Sequence, residues 1–277
     1  MEKALYINNP RQLRDLNGLS RIYYGAEFCE NKIPDLNKIK RVFSLVKKSH
    51  KKFTFLIPYV TNSGLSRIPP LLEYLDAQDD DVEVIFNDWG VFRLMRERFK
   101  RIKPVLGRLL TKQRRDPRAH DILLNKQKAK RVIDQKAKKT FIIIPKKVPS
   151  SLYEHFKASV INVPVFQDFL LANGIRRVEI DNLVWDMQIE VPGEIGVSVY
   201  LPYAYVTTTR LCGLINLTYT ACKKECQRYY FSFRSNSSPV PFYIRGNTVF
   251  YKSEIPPERY LKQRNIDRIV WEPEVPA

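Results

Sequence analysis

Glycine is scarce in this chain, ten residues in 277. No Gly-rich phosphate fingerprint follows the first strand pattern, which counts against a doubly wound dinucleotide fold. Histidine is scarcer still: only His50, His120 and His155 exist, all in helical or basic contexts. They form no Ser-His-Asp or Cys-His set, so a hydrolase of that kind is not indicated, and each reads as a surface histidine. No run approaches the ~20 apolar residues that span a bilayer. Met1-Glu-Lys-Ala-Leu-Tyr-Ile7 lacks the apolar stretch of a secretory leader and runs straight into a strand pattern. The expectation is a soluble, cytoplasmic protein with no membrane partner. Acidic residues are few against the basic ones, 29 to 47, for a formal charge of +18.

That charge is uneven. Between Arg96 and Lys147 stand nineteen Lys or Arg and four Asp or Glu, a net of +15, which leaves +3 for everything else. A charge run is usually a solvated face, and the stretch from Leu109 to Lys139 has weak periodicity. The sharper alternative is a polyanion contact, RNA first among them. Aromatics are sparse between the charges, so a stacking platform for single strands is not indicated. We set off 109–147 as a basic insertion or excursion from one barrel-like domain, 1–277, and 212–260 as a cysteine-loop and hairpin subregion.

Strand and helix patterns alternate. Ala4–Asn8, Arg21–Glu27, Phe53–Val60, Val82–Phe86, Pro104–Gly107, Arg177–Asp181, Val197–Tyr205 and Ile266–Trp271 read as strands. Helices are expected over Arg11–Asn17, from Pro34 with Ile39, Val42, Phe43 and Val46 inward, over Pro69–Asp76, over Val91–Arg101, and over Val163–Asn173 with Gly174 as an αL stop. Phe141–Ile144 is a strand that can pair outside the main sheet. Tyr229–Phe233 and Val249–Tyr251, around Gly246-Asn247, suggest a late hairpin. This order gives an α/β fold with parallel strands and right-handed crossovers. A (β/α)8-type barrel is favoured, with room for an incomplete or distorted ring.

Four cysteines are present. Cys212, Cys222 and Cys226 cluster late and Cys29 stands far upstream. Two disulfides would need an oxidising compartment, and four unrelated buried thiols are the bland alternative. Lys223, Lys224 and Glu225 between the last pair make a poor core and a good ligand loop. A four-thiolate metal site suits the arrangement, either [4Fe–4S] or zinc, which the spacing does not separate.

Barrel ligands gather where strands end. Glu27 and Cys29 end the second strand, Asn87 and Asp88 the fourth, Arg108 the fifth and Asp181 a later one, with Arg210 and Cys212 after the next. Arg108 and Arg210 could grip a carboxylate; the plain reading is an ion pair. Glu27 and Asp88 could position or deprotonate a substrate hydroxyl; the plain reading of Asp88 is a helix cap. Asn87 and Asp181 complete the expected substrate-binding set.

Ile22-Tyr-Tyr-Gly-Ala-Glu-Phe-Cys29, Val82-Glu-Val-Ile-Phe-Asn-Asp-Trp-Gly-Val91 and Pro104-Val-Leu-Gly-Arg108 resemble, in order, strand-end motifs of the collagenase-like peptidase family U32. With one cysteine early and three late, the likeness is to its short, UbiV-type iron–sulfur members. It runs from about residue 4 to 271. The short gap between Cys212 and Cys222 and the basic insertion depart from that pattern, so the chain reads as a diverged branch. The resemblance implies a barrel with a [4Fe–4S] cluster on Cys29, Cys212, Cys222 and Cys226. It also implies oxygen-independent hydroxylation of a small aromatic compound or of RNA, as in ubiquinone synthesis, with a small carboxylate such as prephenate as oxygen donor. A heterodimer with a paralogous member is a further implication. The alternative is a non-catalytic partner subunit with a structural metal site.

Overall fold

The computed structural model describes residues 1–13, 16–78, 81–185, 187–213, 222–254 and 265–276. The chain runs through β1 (Glu2–Ile7), β2 (Arg21–Gly25), α1 (Leu36–Lys48), β3 (Lys52–Ile57), α2 (Asn62–Leu65), α3 (Pro69–Asp76), β4 (Val82–Phe86), α4 (Trp89–Arg98) and β5 (Lys103–Leu106). Next come α5 (His120–Leu123), β6 (Lys130–Asp134), β7 (Lys139–Ile143), α6 (Ser150–Lys157), α7 (Pro164–Ala172), β8 (Arg177–Asp181) and β9 (Gly196–Leu201). The last elements are β10 (Tyr203–Thr208), β11 (Phe231–Phe233), β12 (Phe242–Arg245), β13 (Thr248–Lys252) and β14 (Ile266–Trp271).

Eight strands, β1, β2, β3, β4, β5, β8, β9 and β14, close into a parallel barrel in that order. The ring is complete: β1 pairs with β14 through Glu2↔Arg268 to Leu5↔Trp271. Its weakest seam is β5–β8, which holds the single register pair Leu106↔Val178. A second, antiparallel sheet runs β10-β13-β12-β11, and β6 and β7 form a separate two-stranded ribbon.

The strand period of two sorts side chains to the two faces of the wall. Outward go Leu5, Ile7, Ile22, Tyr24, Phe53, Phe55, Ile57, Val84 and Phe86, into the main core under the helices. Helix α1 starts where Asp35 accepts a hydrogen bond from the Lys38 amide, and it buries Ile39, Val42, Phe43 and Val46 against that wall. Phe43 meets Phe53 edge-on at 5.3 Å. Each such side chain contributes about 1.5–3 kcal/mol by leaving water, so one charge at Val42 would strip the helix from the barrel.

Inward go Ala4, Tyr6, Tyr23, Leu56, Ile85, Val105, Tyr200 and Val270, a middle layer of their own. Charged layers lie on either side. Toward the N-terminal ends, Arg268 meets Glu83 at 2.6 Å and Glu2 at 2.6 Å, and Arg21 meets Glu2 at 2.9 Å. Toward the C-terminal ends lies the cluster around Arg108 described below.

Several expectations need correction. The first predicted helix is a single 3-10 turn, Pro10–Gln12, closed by reciprocal caps between Asn9 and Gln12; residues 14 and 15 of that stretch lie outside the described residues. Val197–Tyr205 is not one strand. It breaks at the cis Leu201–Pro202 bond, so β9 stays in the barrel and β10 turns into the second sheet. The late hairpin is β12–β13, turning at Gly246-Asn247, and it belongs to a sheet of four strands. The basic stretch contains β6, which pairs with β7 from Lys130↔Ile143 to Asp134↔Lys139. Helix α6 buries none of its residues, so no apolar stripe announces it in the sequence. No described helix is long and apolar enough to cross a membrane.

Candidate functional site at the barrel mouth

Two groups of chemically capable side chains meet where the barrel strands end. The inner group centres on Arg108. Its Nε and Nη2 donate to both oxygens of Glu27, at 2.9 and 2.8 Å. Nη1 donates to Asp181 at 2.9 Å and to the Tyr203 carbonyl, and Nη2 also reaches Glu272 at 2.5 Å. Asp181 takes a second guanidinium, Arg115, at 2.5 Å. Arg108, Glu27 and Asp181 are each 0% exposed. Burial works against the charge of Arg108, but Glu27, Glu272 and Asp181 together hold it firmly protonated. Burial pushes Glu27 up, with Arg108 pulling against it, and pushes Glu272 much further up. Burial works against the charge of both glutamates, most strongly at Glu272, and Arg108 opposes it in each.

This cluster is roofed. The Arg108 guanidinium lies over Tyr200 at 3.8 Å and Phe28 at 5.3 Å. Phe28, Tyr205, Phe250 and Val275 close over it as a small core of their own. The second sheet therefore plugs the mouth. The expected catalytic Glu27 and the expected substrate binders Arg108 and Asp181 are brought together, but as a sealed ion cluster whose donors are engaged. Asn87 is also internal. It donates to the Ile57 carbonyl at 3.1 Å and accepts from the Leu109 amide at 3.2 Å. Asp88 caps α4, accepting from the Gly90 and Val91 amides at 2.7 and 3.2 Å, and takes the Val60 amide at 3.3 Å. All five residues stand at or just beyond barrel strand ends, beneath a lid that no local pattern shows.

The outer group is the thiols. Cys29 follows β2, and Cys226 sits in a 3-10 turn, Glu225–Gln227. All four cysteines are free of disulfides; Cys226 is buried and the others are half-buried. Burial raises the Cys29 thiol, the charges of Cys226 and Cys222 raise it further, and the Asn31 amide opposes them. Cys226 is raised by burial, opposed by Lys32, and raised again by Cys212 and Cys222. Thiols from opposite ends of the chain therefore lie within electrostatic reach of one another. They are not drawn to ligand spacing: among the described residues no three His, Cys, Asp or Glu side chains form a group that could hold a metal ion. Residues 214–221, between Cys212 and Cys222, lie outside the described residues. As a donor set, four unpaired thiols fit a tetrathiolate centre.

Neighbours that the sequence did not flag hold this group. Arg245 donates from Nε to the Cys226 carbonyl at 2.7 Å and from Nη2 to the Gln227 carbonyl at 3.2 Å, and pairs with Glu274 at 3.3 Å. Gly246, at φ +64°, lets the β12–β13 turn pass so close that a Cβ there would meet Cys226 Cβ at 3.2 Å. Asn247 donates to the Phe28 carbonyl at 2.7 Å, tying the turn to the strand end that carries Cys29. Lys32 is half-buried beside Cys29 and Cys226, and burial lowers its ammonium to about 8. A cavity of about 180 Å³ opens on Cys29, Tyr59, Asn247 and Arg210. Arg210, expected at a barrel strand end, instead follows β10 of the second sheet and faces this cavity. The only advance signal for Arg245 was its place beside the Gly-Asn turn; for Lys32 there was none.

No family model matches the sequence, and no curated protein sequence matches it. Among solved structures, the chain is similar to the U32 peptidase Mk0906, with a TM-score of 0.45 and 8% identity, over 99% of this chain and 93% of that one. It is also similar to the immunomodulatory chitinase TsES1 of Trichuris suis, with a TM-score of 0.36 and 12% identity, over 98% and 91%. A family 18 N-acetylglucosaminidase from Paenibacillus barengoltzii scores 0.35 at 10% identity, over 98% and 94%. Likenesses of this size carry no statement about chemistry.

Proposed function

We propose that this chain is an iron–sulfur protein related to the U32 peptidase-like proteins, with Cys29, Cys212, Cys222 and Cys226 as the ligands of a [4Fe–4S] cluster. The observation that carries this is that one turn joins the two cysteine segments: Gly246 packs against Cys226, and Asn247 beside it donates at 2.7 Å to the carbonyl of Phe28, the residue before Cys29. The motif order read from the sequence supports oxygen-independent hydroxylation of a small aromatic or RNA substrate as the reaction served. When bound, such a cluster supplies one-electron chemistry at the outer rim of the mouth. The chain's own residues have definable tasks. The Asn31 amide supports a Cys29 thiolate, Lys32 offsets thiolate charge, and Arg245 fixes the loop that carries Cys226.

The test is anaerobic purification with iron and sulfide counts and an optical spectrum. A brown protein absorbing near ~400 nm is expected. Cys222→Ser should lower iron and sulfide while leaving the far-UV circular dichroism unchanged. A colourless protein with one zinc and no sulfide would replace the cluster with a structural zinc site.

A second reading, RNA binding, is favoured by one observation: every residue of β6 and β7 is exposed. The ribbon thus offers its lysines to solvent rather than to the barrel. RNA affinity should fall steeply with salt and be lost when the lysines of 126–139 become Gln. Salt-insensitive binding, or none, removes this reading.

A further inference from the structure

The β6–β7 ribbon turns apolar side chains to water on both of its faces. Residues paired directly across two strands share a face, and alternate residues of one strand do too. The pairs Val132↔Phe141 and Lys130↔Ile143 therefore put Val132, Phe141 and Ile143 on one face. The pairs Arg131↔Ile142 and Ile133↔Thr140 put Ile133 and Ile142 on the other, with Ile144 two residues further on. All six are exposed, and neither face rests on the barrel. So many large apolar side chains on so short a ribbon mark an interaction surface.

Cations bracket this apolar middle. From Lys126 to Lys147 stand nine Lys or Arg and a single acid, Asp134. Lys136, Lys138 and Lys139 crowd the turn; Lys126, Lys128, Lys146 and Lys147 stand at the foot. Asp134 accepts from the Lys136 and Ala137 amides at 2.9 and 3.0 Å, so it serves the turn. Among the described residues, no carboxylate forms an ion pair with any of the nine cations. At the foot a cleft of about 700 Å³ opens on Asn125, Lys146, Lys147 and Tyr153.

We infer that this ribbon lies on a bilayer surface that contains anionic lipid, its lysines among the headgroups and its isoleucines at the boundary with the acyl chains. A second copy of the chain would bring the same nine cations to the contact and be repelled. RNA would answer the lysines but leave the apolar side chains in water, and Phe141 is the one aromatic of the ribbon on which a base could stack. An anionic bilayer answers both features: lysine heads reach lipid phosphates while their stems lie along apolar surface. Interfacial segments sink about 5–10 Å, roughly the thickness of one sheet, so both faces meet methylenes. The open strand edges stay at headgroup depth, where water and phosphate oxygens satisfy the backbone. This departs from the expectation of no membrane partner, which rested on the lack of a spanning run; a surface contact needs none.

Co-sedimentation of the full chain with vesicles tests it, using phosphatidylcholine alone and phosphatidylcholine mixed with phosphatidylserine. The chain should bind the mixed vesicles and not the neutral ones, more weakly as salt rises. The triple variant Ile133→Ser, Ile142→Ser, Ile144→Ser keeps every charge and should weaken binding about tenfold or more. Lys136→Gln, Lys138→Gln and Lys139→Gln together should do the same, whereas Lys48→Gln, exposed on α1, should leave binding unchanged. In Phe141→Trp the new indole should shift its emission to the blue with mixed vesicles only. The substituted side chains are exposed, so far-UV circular dichroism should remain that of the parent. No vesicle binding, vesicle binding that the serine variant retains in full, or RNA binding without vesicle binding overturns the proposal. None of these readouts involves iron, so the bilayer contact and the cluster can each fail alone.

Discussion

Arg108 places its guanidinium among three carboxyls and a carbonyl, all out of water. Removing one partner of a buried ion cluster leaves the others uncompensated, which costs about 3–5 kcal/mol. Arg108→Met should therefore lower the unfolding free energy from urea titration by that order, and a variant as stable as the parent would show that the cluster contributes little. Glu179 titrates in a different layer. Burial pushes it up to about 7, against the pull of Arg268 and Arg177, and Tyr23 donates to it at 3.2 Å. Its folded value lies above its ordinary one, so the fold favours the neutral acid. The stability it contributes is full below about pH 4.5 and is lost as pH rises through about 7. Over that window the loss is roughly 3 kcal/mol. Glu179→Gln should gain on the parent between pH 5 and pH 8 in denaturation curves; parallel curves would reject the assignment. Neither residue's environment was legible. Strand periodicity puts Arg108 just beyond β5, but a sequence does not show that Phe28, Tyr205 and Phe250 lie above it. Arg115 stands in a basic run, where composition points to solvated charge, yet it is buried on Asp181.

Local rules decided the elements that stand alone and failed where a strand changes partners. Helix α3, Pro69–Asp76, follows directly from its proline start and its inward leucines. The split between β9 and β10 was hidden because Val197–Tyr205 alternates as one strand would, and only pairing with β13 instead of β14 divides it. Gly25 ends β2 at φ +145°, where a Cβ would lie 2.3 Å from the Leu56 carbonyl oxygen. Backbone occupies that space and cannot rotate away, so Gly25→Ala should destabilise by several kcal/mol, of the order of the larger known single-site effects. A thermal midpoint within a degree or two of the parent would show that the strand end relaxes. The β6–β7 ribbon is the opposite case. Ile133, Ile142 and Ile144 are 62, 69 and 77% exposed, and a two-stranded ribbon by itself is marginal in water. Limited trypsin digestion should cut first between Lys126 and Lys147 and leave the barrel fragments associated; first cuts within the barrel strands would contradict this.

At the scale of the molecule, closure depends on β14, which bridges β1 and β9. Its Arg268 also binds Glu2, Glu83 and the Tyr23 hydroxyl. A chain ending at Glu254 would expose two strand edges and take from Glu83 the Arg268 guanidinium that holds both its oxygens, leaving it Arg21 at 3.2 Å. It should lose the cooperative unfolding transition seen by circular dichroism; a sharp transition near the parent's would mean that the ring tolerates opening. The sequence by itself determined the alternation of strands and helices, the faces of the helices, the concentration of charge in one segment and the supply of four thiols. These are local quantities, set by periodicity and composition. Tertiary structure decided which strand ends face solvent. The second sheet folds over the mouth, seals Glu27, Arg108 and Asp181 beneath it, and leaves the thiols and Lys32 at the rim. That outcome rests on contacts between residues far apart in the chain, such as Asn247 on Phe28 and Arg245 on Cys226, and no local pattern encodes which of two distant segments will cover the other.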